Sequence, residues 1–124
     1  MQVHINGDNT ISMHSKLSDS IGSYITNVLN RFEPYLTRVE VHLTGASKSS
    51  GSQDKRCLLE ARAKHHPSLV VSNESTDIEI AFSGAAAKLH RLLENTYGRL
   101  ADKRRRSEQM KSRTGRLQAI STMN

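Results

Sequence analysis

Basic residues at helical spacing are the part of this sequence with the clearest chemical potential. The following polar residues recur at intervals of three or four positions: Lys88, Arg91, Asn95, Arg99, Lys103 and Arg106. On an α-helix this spacing places them on one side, and the Lys and Arg members of the set are called the basic stripe below. Lys and Arg bind phosphate without reading a base sequence, and Arg can grip it through two parallel hydrogen bonds. We therefore predict that the stripe, with the neighbouring Arg104 and Arg105, binds nucleic acid.

The distribution of charge supports this interpretation. Residues 99–124 hold 8 of the 18 Lys and Arg but only 2 of the 12 Asp and Glu, so this segment accounts for the whole net charge of +6. A pI near 9.8 with such asymmetry favours nucleic acid as the partner, and an anionic membrane surface next. Aromatic residues make up only 4% of the chain, which favours folded RNA over stacked single strands, and Tyr24 and Tyr97 are assigned to the core. The simplest alternative is a solvated helix face.

Sequence motifs argue against an enzyme. The chain has no GxSxG, P-loop or HExxH motif, and its six histidines do not show the spacing of metal ligands. Cys57 has no CxxC partner and lies in an alternating segment, which predicts buried packing rather than catalysis. No apolar run approaches the roughly 20 residues of a membrane span, and the N-terminus does not resemble a signal peptide. We expect a cytoplasmic binding protein without a cofactor, metal, membrane or small-molecule substrate.

Two helices and four strands are predicted to position the basic residues. Apolar residues alternate with polar ones in the strands and recur at three- and four-residue spacing in the helices. A hairpin loop rich in Gly and Ser, at residues 45–55, connects the second strand to the third. The predicted elements are a strand at 2–6, a helix at 15–32, strands at 37–43 and 56–64, a turn at 65–67, a strand at 69–72 and a helix at 77–106.

Helix ends are predicted from the residues that commonly cap them. We expect Ser15 or Ser18 to cap the first helix, Pro34 to end it, and Ser75 or Thr76 to cap the second. The buried side of the second helix is predicted to contain Ile78, Ala81, Phe82, Ala85, Leu89, Leu92, Leu93, Thr96 and Leu100.

The predicted fold class is α+β, with the element order β-α-β-β-β-α in a single domain of residues 1–106. The strand-helix-strand unit favours a parallel pair and the hairpins add antiparallel strands, giving a four-stranded mixed sheet with both helices on one face. The open face is expected to be solvated and to carry mixed charges, from Arg38, Glu40, His42, Arg56, Glu60, Arg62 and Lys64. A helix of 30 residues is about 45 Å long and a seven-residue strand about 23 Å, so the second helix should overhang the sheet. Residues 107–124 are predicted to form a flexible basic tail.

Three segments resemble a known family. They are the opening MQVHINGDNTI, the alternating strand RVEVHLT, and the helix start D-x-x-x-A-[IF]-x-x-A-x-x-K-L, which falls here on Asp77, Ala81, Phe82, Ala85, Lys88 and Leu89. Their order and spacing resemble the ribosome hibernation-promoting factor family, also called ribosome-associated inhibitor, protein Y or sigma-54 modulation protein. The resemblance covers roughly residues 1–106. Because the 18 residues that follow are too few for the second domain of long family members, the chain resembles the short forms.

The resemblance implies a fold similar in shape to a double-stranded-RNA-binding domain. It also implies a protein, monomeric when free, that binds the rRNA of the small ribosomal subunit, occupies the mRNA and tRNA path and inhibits translation under stress or in stationary phase. A transcription-modulating protein that acts through protein contacts is the alternative that one family name implies. The sequence departs from the family pattern at Glu79, where an aromatic residue is usual, and at Asn95 and Tyr97, where lysines are usual.

Overall fold

Four strands, two α-helices and one 3₁₀ helix make up the described part of the protein. The computed structural model describes the backbone of residues 1–8, 11, 13–45 and 54–123, and the side chains of these ranges up to residue 107. The elements are β1 (Gln2–Gly7), α1 (Ser15–Leu29), a 3₁₀ helix (Asn30–Tyr35), β2 (Leu36–Gly45), β3 (Lys55–Ala63), β4 (His66–Ser75) and α2 (Ile78–Met123). Most of the predicted hairpin loop, residues 46–53, lies outside the described residues.

The sheet has the strand order β1-β2-β3-β4. β1 pairs with β2 in parallel, as expected for strands joined by a helix, and the other two pairs are antiparallel. The register aligns Val3 with Val39, and Val41 with Leu59, so apolar side chains of neighbouring strands share one face. The predicted fold class, an α+β protein with a four-stranded mixed sheet, is confirmed.

One hydrophobic core lies between this sheet face and the helices. The largest fully buried side chains come from every layer and include Ile25, Leu29 and Phe32 from the α1 side, and Leu59 and Leu89 from β3 and α2. Residues of both helices belong to this core, so the two helices cover the same face of the sheet. Among the described residues, no helix or strand covers the opposite face, as predicted.

The buried side of α2 follows a spacing of four residues. Its buried residues include Ala81, Ala85, Leu89, Leu93, Tyr97 and Ala101. Each step of four residues turns about 40° past a full helical turn, so the contact line moves around the helix as it crosses the sheet. This drift explains why the prediction for Leu100 was wrong: its side chain is 53% exposed, whereas Tyr97 is 8% exposed. Tyr97 packs in the core as predicted, and its ring stacks on Tyr35. The same prediction was wrong for Tyr24, whose side chain is 46% exposed.

Both helices begin with caps that differ from the predicted serine or threonine. His14 caps α1, because its Nδ1 accepts a hydrogen bond from the Leu17 N–H at 3.1 Å. Asp77 caps α2: its carboxylate accepts from the Glu79 N–H at 2.8 Å, and its carbonyl accepts from the Ala81 N–H at 2.9 Å. Asp is as good an N-cap as Ser, and its negative charge also favours the positive end of the helix dipole.

Two other boundaries correct the sequence-based expectation. α1 ends at Leu29, and the predicted last turn belongs to the 3₁₀ helix, which contains Pro34. The turn between β3 and β4 lies at Lys64 and His65, where His65 has a φ of 58°. Pro67 lies inside β4 rather than in the turn, and since β4 is an edge strand it tolerates a residue without an N–H.

The end of α2 also differs from the prediction. The helix was expected to stop at Arg106, but its backbone continues to Met123. No proline follows Arg106, so no residue there is incompatible with a helix. That residues 107–124 act as a flexible tail, separate from a domain of residues 1–106, stays a prediction.

Candidate nucleic-acid interface

The basic stripe lies on the exposed side of α2. All its members have exposed side chains, and Arg91, Arg99 and Lys103 keep the same four-residue spacing as the buried side, with Asn95 between them. The core holds the opposite side of the helix through Leu89 and Leu93, so the helix cannot turn the stripe inward. The predicted arrangement of charge on this helix is therefore present, while its contact with RNA stays a prediction.

Lys88 has a partner within the protein. Its Nζ donates a hydrogen bond to the carbonyl oxygen of Ser72 at 2.9 Å. Ser72 lies on β4, an edge strand, where outward carbonyl groups lack a neighbouring strand. The first cation of the stripe therefore also covers the edge of the sheet, a role that the sequence did not indicate.

Arg31, on the 3₁₀ helix, binds three groups along α2. Its guanidinium pairs with the Glu94 carboxylate, donates to the Gly98 carbonyl at 3.1 Å and pairs with the Asp102 carboxylate at 2.5 Å. These three residues are four positions apart, so one arginine spans two turns of the helix. The contact fixes α2 against the 3₁₀ helix. It also places a positive charge between two carboxylates that would otherwise weaken the attraction of α2 for phosphate.

Arg104 and Arg105 lie apart from the stripe, at the end of the sheet. They border a cleft of about 950 Å³, called the sheet-end cleft. It is lined by Met1, Asn27, Val28, Asn30, Arg31, Glu33, Pro34, Leu36, Lys64, Ala101, Arg104 and Arg105. The predicted site residues thus divide into two groups, five along the exposed side of α2 and two in this cleft.

The uncovered sheet face carries paired charges instead of a basic surface. Glu40 lies 3.0 Å from Arg38, 3.4 Å from His42 and 3.8 Å from Arg62, and Arg62 also pairs with Glu60 at 3.0 Å. Desolvation raises the pKa of Glu40, but the two guanidiniums and the His42 hydrogen bond outweigh it and lower the pKa below its ordinary value. Because its charges balance, this face is less suited to phosphate than α2.

Other candidate chemistry is limited in the described part of the chain. Cys57 is fully buried in β3, and burial raises the pKa of its thiol to about 12, so it packs as predicted and is a poor nucleophile. Across residues 1–8, 11, 13–45 and 54–107, we find no cluster of three or more His, Cys, Asp or Glu side chains that could hold a metal ion. Within the described helices, none is sufficiently long and apolar to cross a membrane.

Comparison with known proteins identifies the family of this chain. A family model described as "Sigma 54 modulation protein / S30EA ribosomal protein" matches residues 9–101. The chain belongs to this family. The resemblance to the ribosome hibernation-promoting factors, for which sigma-54 modulation protein is another name, is thereby confirmed. No curated protein sequence matches the chain.

Two solved structures with low sequence identity share the fold of this S30EA-family chain. The N-terminal domain of Thermus thermophilus protein Y is 15% identical, with a TM-score of 0.64, over 77% of this chain and 99% of that one. A ribosomal subunit interface protein from Coxiella burnetii is 11% identical, with a TM-score of 0.67, over 79% of this chain and 99% of that one. The shared architecture is that of the core sheet and its helices.

Two residues of the candidate interface were not predicted from the sequence. Arg31 was not singled out, because its acidic partners lie 63 and 71 residues further along the chain. Lys64 was assigned to the solvated sheet face, whereas the structure places it in the sheet-end cleft with Arg104 and Arg105. The one local signal for Lys64 was its position at the end of the predicted strand 56–64, next to the predicted turn at 65–67.

Proposed function

We propose that this protein binds the small ribosomal subunit, occupies its mRNA and tRNA path and inhibits translation under stress or in stationary phase. The observation that carries the proposal is the basic stripe, which the core holds on the outer side of α2. Membership in the S30EA family and the names of the two structural neighbours, protein Y and a ribosomal subunit interface protein, support the ribosome as the partner.

The proposed mechanism is occupancy without turnover. The stripe contacts rRNA phosphates, and these contacts supply affinity and orientation without reading bases. Buried Cys57 is a poor nucleophile, which agrees with a protein that acts by binding. We propose that the free protein is monomeric and that it acts in the cytoplasm, where ribosomes lie.

Co-sedimentation with purified 30S subunits tests this function. The triple variant Arg91→Gln, Arg99→Gln, Lys103→Gln should sediment with the subunit far less than the wild type, since three exposed phosphate-binding charges are removed. A control variant, Lys16→Gln, Lys55→Gln, Arg56→Gln, loses the same net charge away from α2. It should retain most of the binding.

Salt dependence gives a second measurement on the same complex. If about five phosphates are neutralised, log K against log salt should have a slope of roughly −3.5 to −4.5. A slope near zero, or equal loss of binding in the stripe and control variants, would contradict contact through the stripe.

An exposed apolar area supports the alternative function, transcription modulation through protein contacts. Tyr24 and Ile80 are 46% and 58% exposed, and they border a groove of about 510 Å³ between the first turns of α1 and α2. Apolar side chains of this kind suit a protein partner more than RNA. This alternative would be favoured if the protein does not bind ribosomes but changes sigma-54-dependent transcription in a purified system. The variant Ile80→Ser should then lose the effect on transcription.

A further inference from the structure

The sheet-end cleft brings together basic residues from distant parts of the chain. Lys64 comes from the β3–β4 turn, Arg31 from the 3₁₀ helix, and Arg104 and Arg105 from α2. Among the described residues, Glu33 is the only carboxylate that lines the cleft, and it lies 3.7 Å from the amino group of Met1. Because Arg31 is paired with Glu94 and Asp102, the positive charge that faces the cleft comes from Lys64, Arg104 and Arg105.

Two of these cations have no ion-pair partner among the described side chains. Lys64 and Arg105 are exposed, and neither has a described carboxylate within 4.0 Å. Like charges held close together repel one another, so a bound anion would lower the energy of the cluster. On a surface where positive and negative charges balance, such as the open sheet face, binding an anion would not lower the energy in this way.

Hydrogen bonding and core packing fix the backbone positions of these basic residues. The Lys64 N–H donates to the Tyr35 carbonyl at 2.9 Å, which ties the β3–β4 turn to the start of β2. On α2, the last buried residue before the cleft is Ala101, at 5% exposure, and Arg104 and Arg105 follow in the next turn. The backbone positions of Lys64, Arg104 and Arg105 are thus set by hydrogen bonding and by the core.

We propose that the sheet-end cleft is a phosphate-binding site, separate from the basic stripe, with Lys64, Arg104 and Arg105 as its ligands. Arg binds phosphate through paired N–H groups and Lys through its compact charge. The side-chain amides of Asn27 and Asn30 add further donors at the rim. A cleft of about 950 Å³ is much larger than a single phosphate, so it has room for a phosphate that carries a nucleoside or is part of a chain.

The phosphate has two possible sources, the backbone of RNA or a free nucleoside polyphosphate. With RNA as the source, the inference rests on the proposed function and adds a second contact point to it. With a free nucleotide as the source, it goes beyond that function.

Titration of the ¹⁵N-labelled full chain with inorganic tripolyphosphate, followed by NMR, tests the site. The amide signals of Lys64, Ala101 and Arg105 should shift in a saturable manner. In the variant Lys64→Gln, Arg105→Gln the affinity should fall about tenfold or more, because two charge-assisted contacts are lost. The control Lys16→Gln, Arg56→Gln has the same net charge and should change the affinity less than about twofold. Since all four side chains are exposed, circular dichroism should show wild-type folding in both variants.

The outcomes separate this site from the stripe and from the proposed function. Shifts that do not saturate, or equal loss in the cleft and control variants, would overturn the proposal. If ATP binds more tightly than tripolyphosphate, the source of the phosphate is a free nucleotide. If a short RNA duplex displaces tripolyphosphate and ATP binds no more tightly than tripolyphosphate, the source is RNA. If tripolyphosphate binds saturably in the cleft but the protein does not sediment with 30S subunits, the phosphate site is supported and the proposed ribosomal function is overturned.

Discussion

Replacing Arg31 with Met should reveal how much the contact between the 3₁₀ helix and α2 stabilises the protein. Met keeps an unbranched apolar stem of similar length, so the change removes the guanidinium and little else. The variant loses the ion pairs with Glu94 and Asp102 and the hydrogen bond to the Gly98 carbonyl. It also loses the cation–π contact of the guanidinium with the Phe32 ring, whose centroid is 5.3 Å away.

The magnitude follows from the exposure of the partners. The side chains of Arg31 and Glu94 are each 33% exposed and that of Asp102 is 52% exposed, so both carboxylates regain water when the arginine is removed. Two such pairs contribute about 0.2–1 kcal/mol each. The charged hydrogen bond to Gly98 contributes about 1.5 kcal/mol at the low end of its range, which suits a partly exposed donor. The sum is about 2–3.5 kcal/mol, which for a domain of this size lowers the melting temperature by roughly 10 °C.

Thermal unfolding followed by circular dichroism measures this loss. Arg91→Met is the matched control, because Arg91 is exposed on the same helix and has no described ion pair, and its melting temperature should stay within about 2 °C of the wild type. If Arg31→Met also melts within about 2 °C of the wild type, the contact does not stabilise the fold.

The same variant separates stability from charge. Without Arg31 the two carboxylates on α2 are no longer neutralised, so affinity for 30S subunits should fall. Adding Glu94→Gln and Asp102→Asn should restore binding without restoring the melting temperature, since the charges are removed but the contact is not rebuilt. A triple variant that recovers neither property would refute this electrostatic account.

Three further changes test the core, the buried thiol and the C-terminal segment. Leu59→Ala should lower the free energy of unfolding in urea by about 2–5 kcal/mol, and Leu58→Ala by much less, because the sheet register turns only Leu59 into the core. Equal decreases in the two variants would mean that the register of β3 is wrong. Cys57 should resist iodoacetamide at pH 8 in the native protein and react after unfolding. Because its folded pKa lies near 12, above the ordinary 9, the protein should lose stability as the pH rises above about 9, and Cys57→Ala should lose less. A chain that ends at Arg106 should keep its melting temperature, since the described core residues of α2 end at Ala101. It should bind 30S subunits more weakly, because three basic residues are lost. A circular dichroism spectrum of an unfolded chain would assign the segment to the core, and unchanged affinity would show that the segment only aids solubility.

Local patterns predicted most of the fold. Alternation placed Val39 and Val41 on the core side of β2, and helical spacing placed Leu89 and Leu93 on the core side of α2, because these residues are buried by the period of their own element. The prediction failed for Leu100, which fits the helical period but lies where the contact line has moved around α2. That movement depends on how the helix crosses the sheet and has no local sequence signal.

The candidate site was predictable in part for a similar reason. The members of the stripe share one helix, so their spacing alone shows that they lie together. Arg31 and Lys64 join the site through turns and pairings between distant segments, and the sequence offers no period that would connect them with Arg104 or Arg105. Caps were ambiguous because Asp and His can perform the same hydrogen bonding as Ser at a helix start.

The four-residue spacing of α2 also has a consequence for the shape of its partner. From Arg91 through Asn95 and Arg99 to Lys103, each step advances about 6 Å along the axis and turns about 40° around it, so the charges rotate by about 120° over roughly 18 Å. A flat surface touches one side of a cylinder and would meet only part of this path. A partner that engages all of these residues must curve around the helix, as the walls of an RNA groove or two converging strands do. If the stripe binds RNA as proposed, the pitch of its charges should favour a concave, folded RNA over a flat surface.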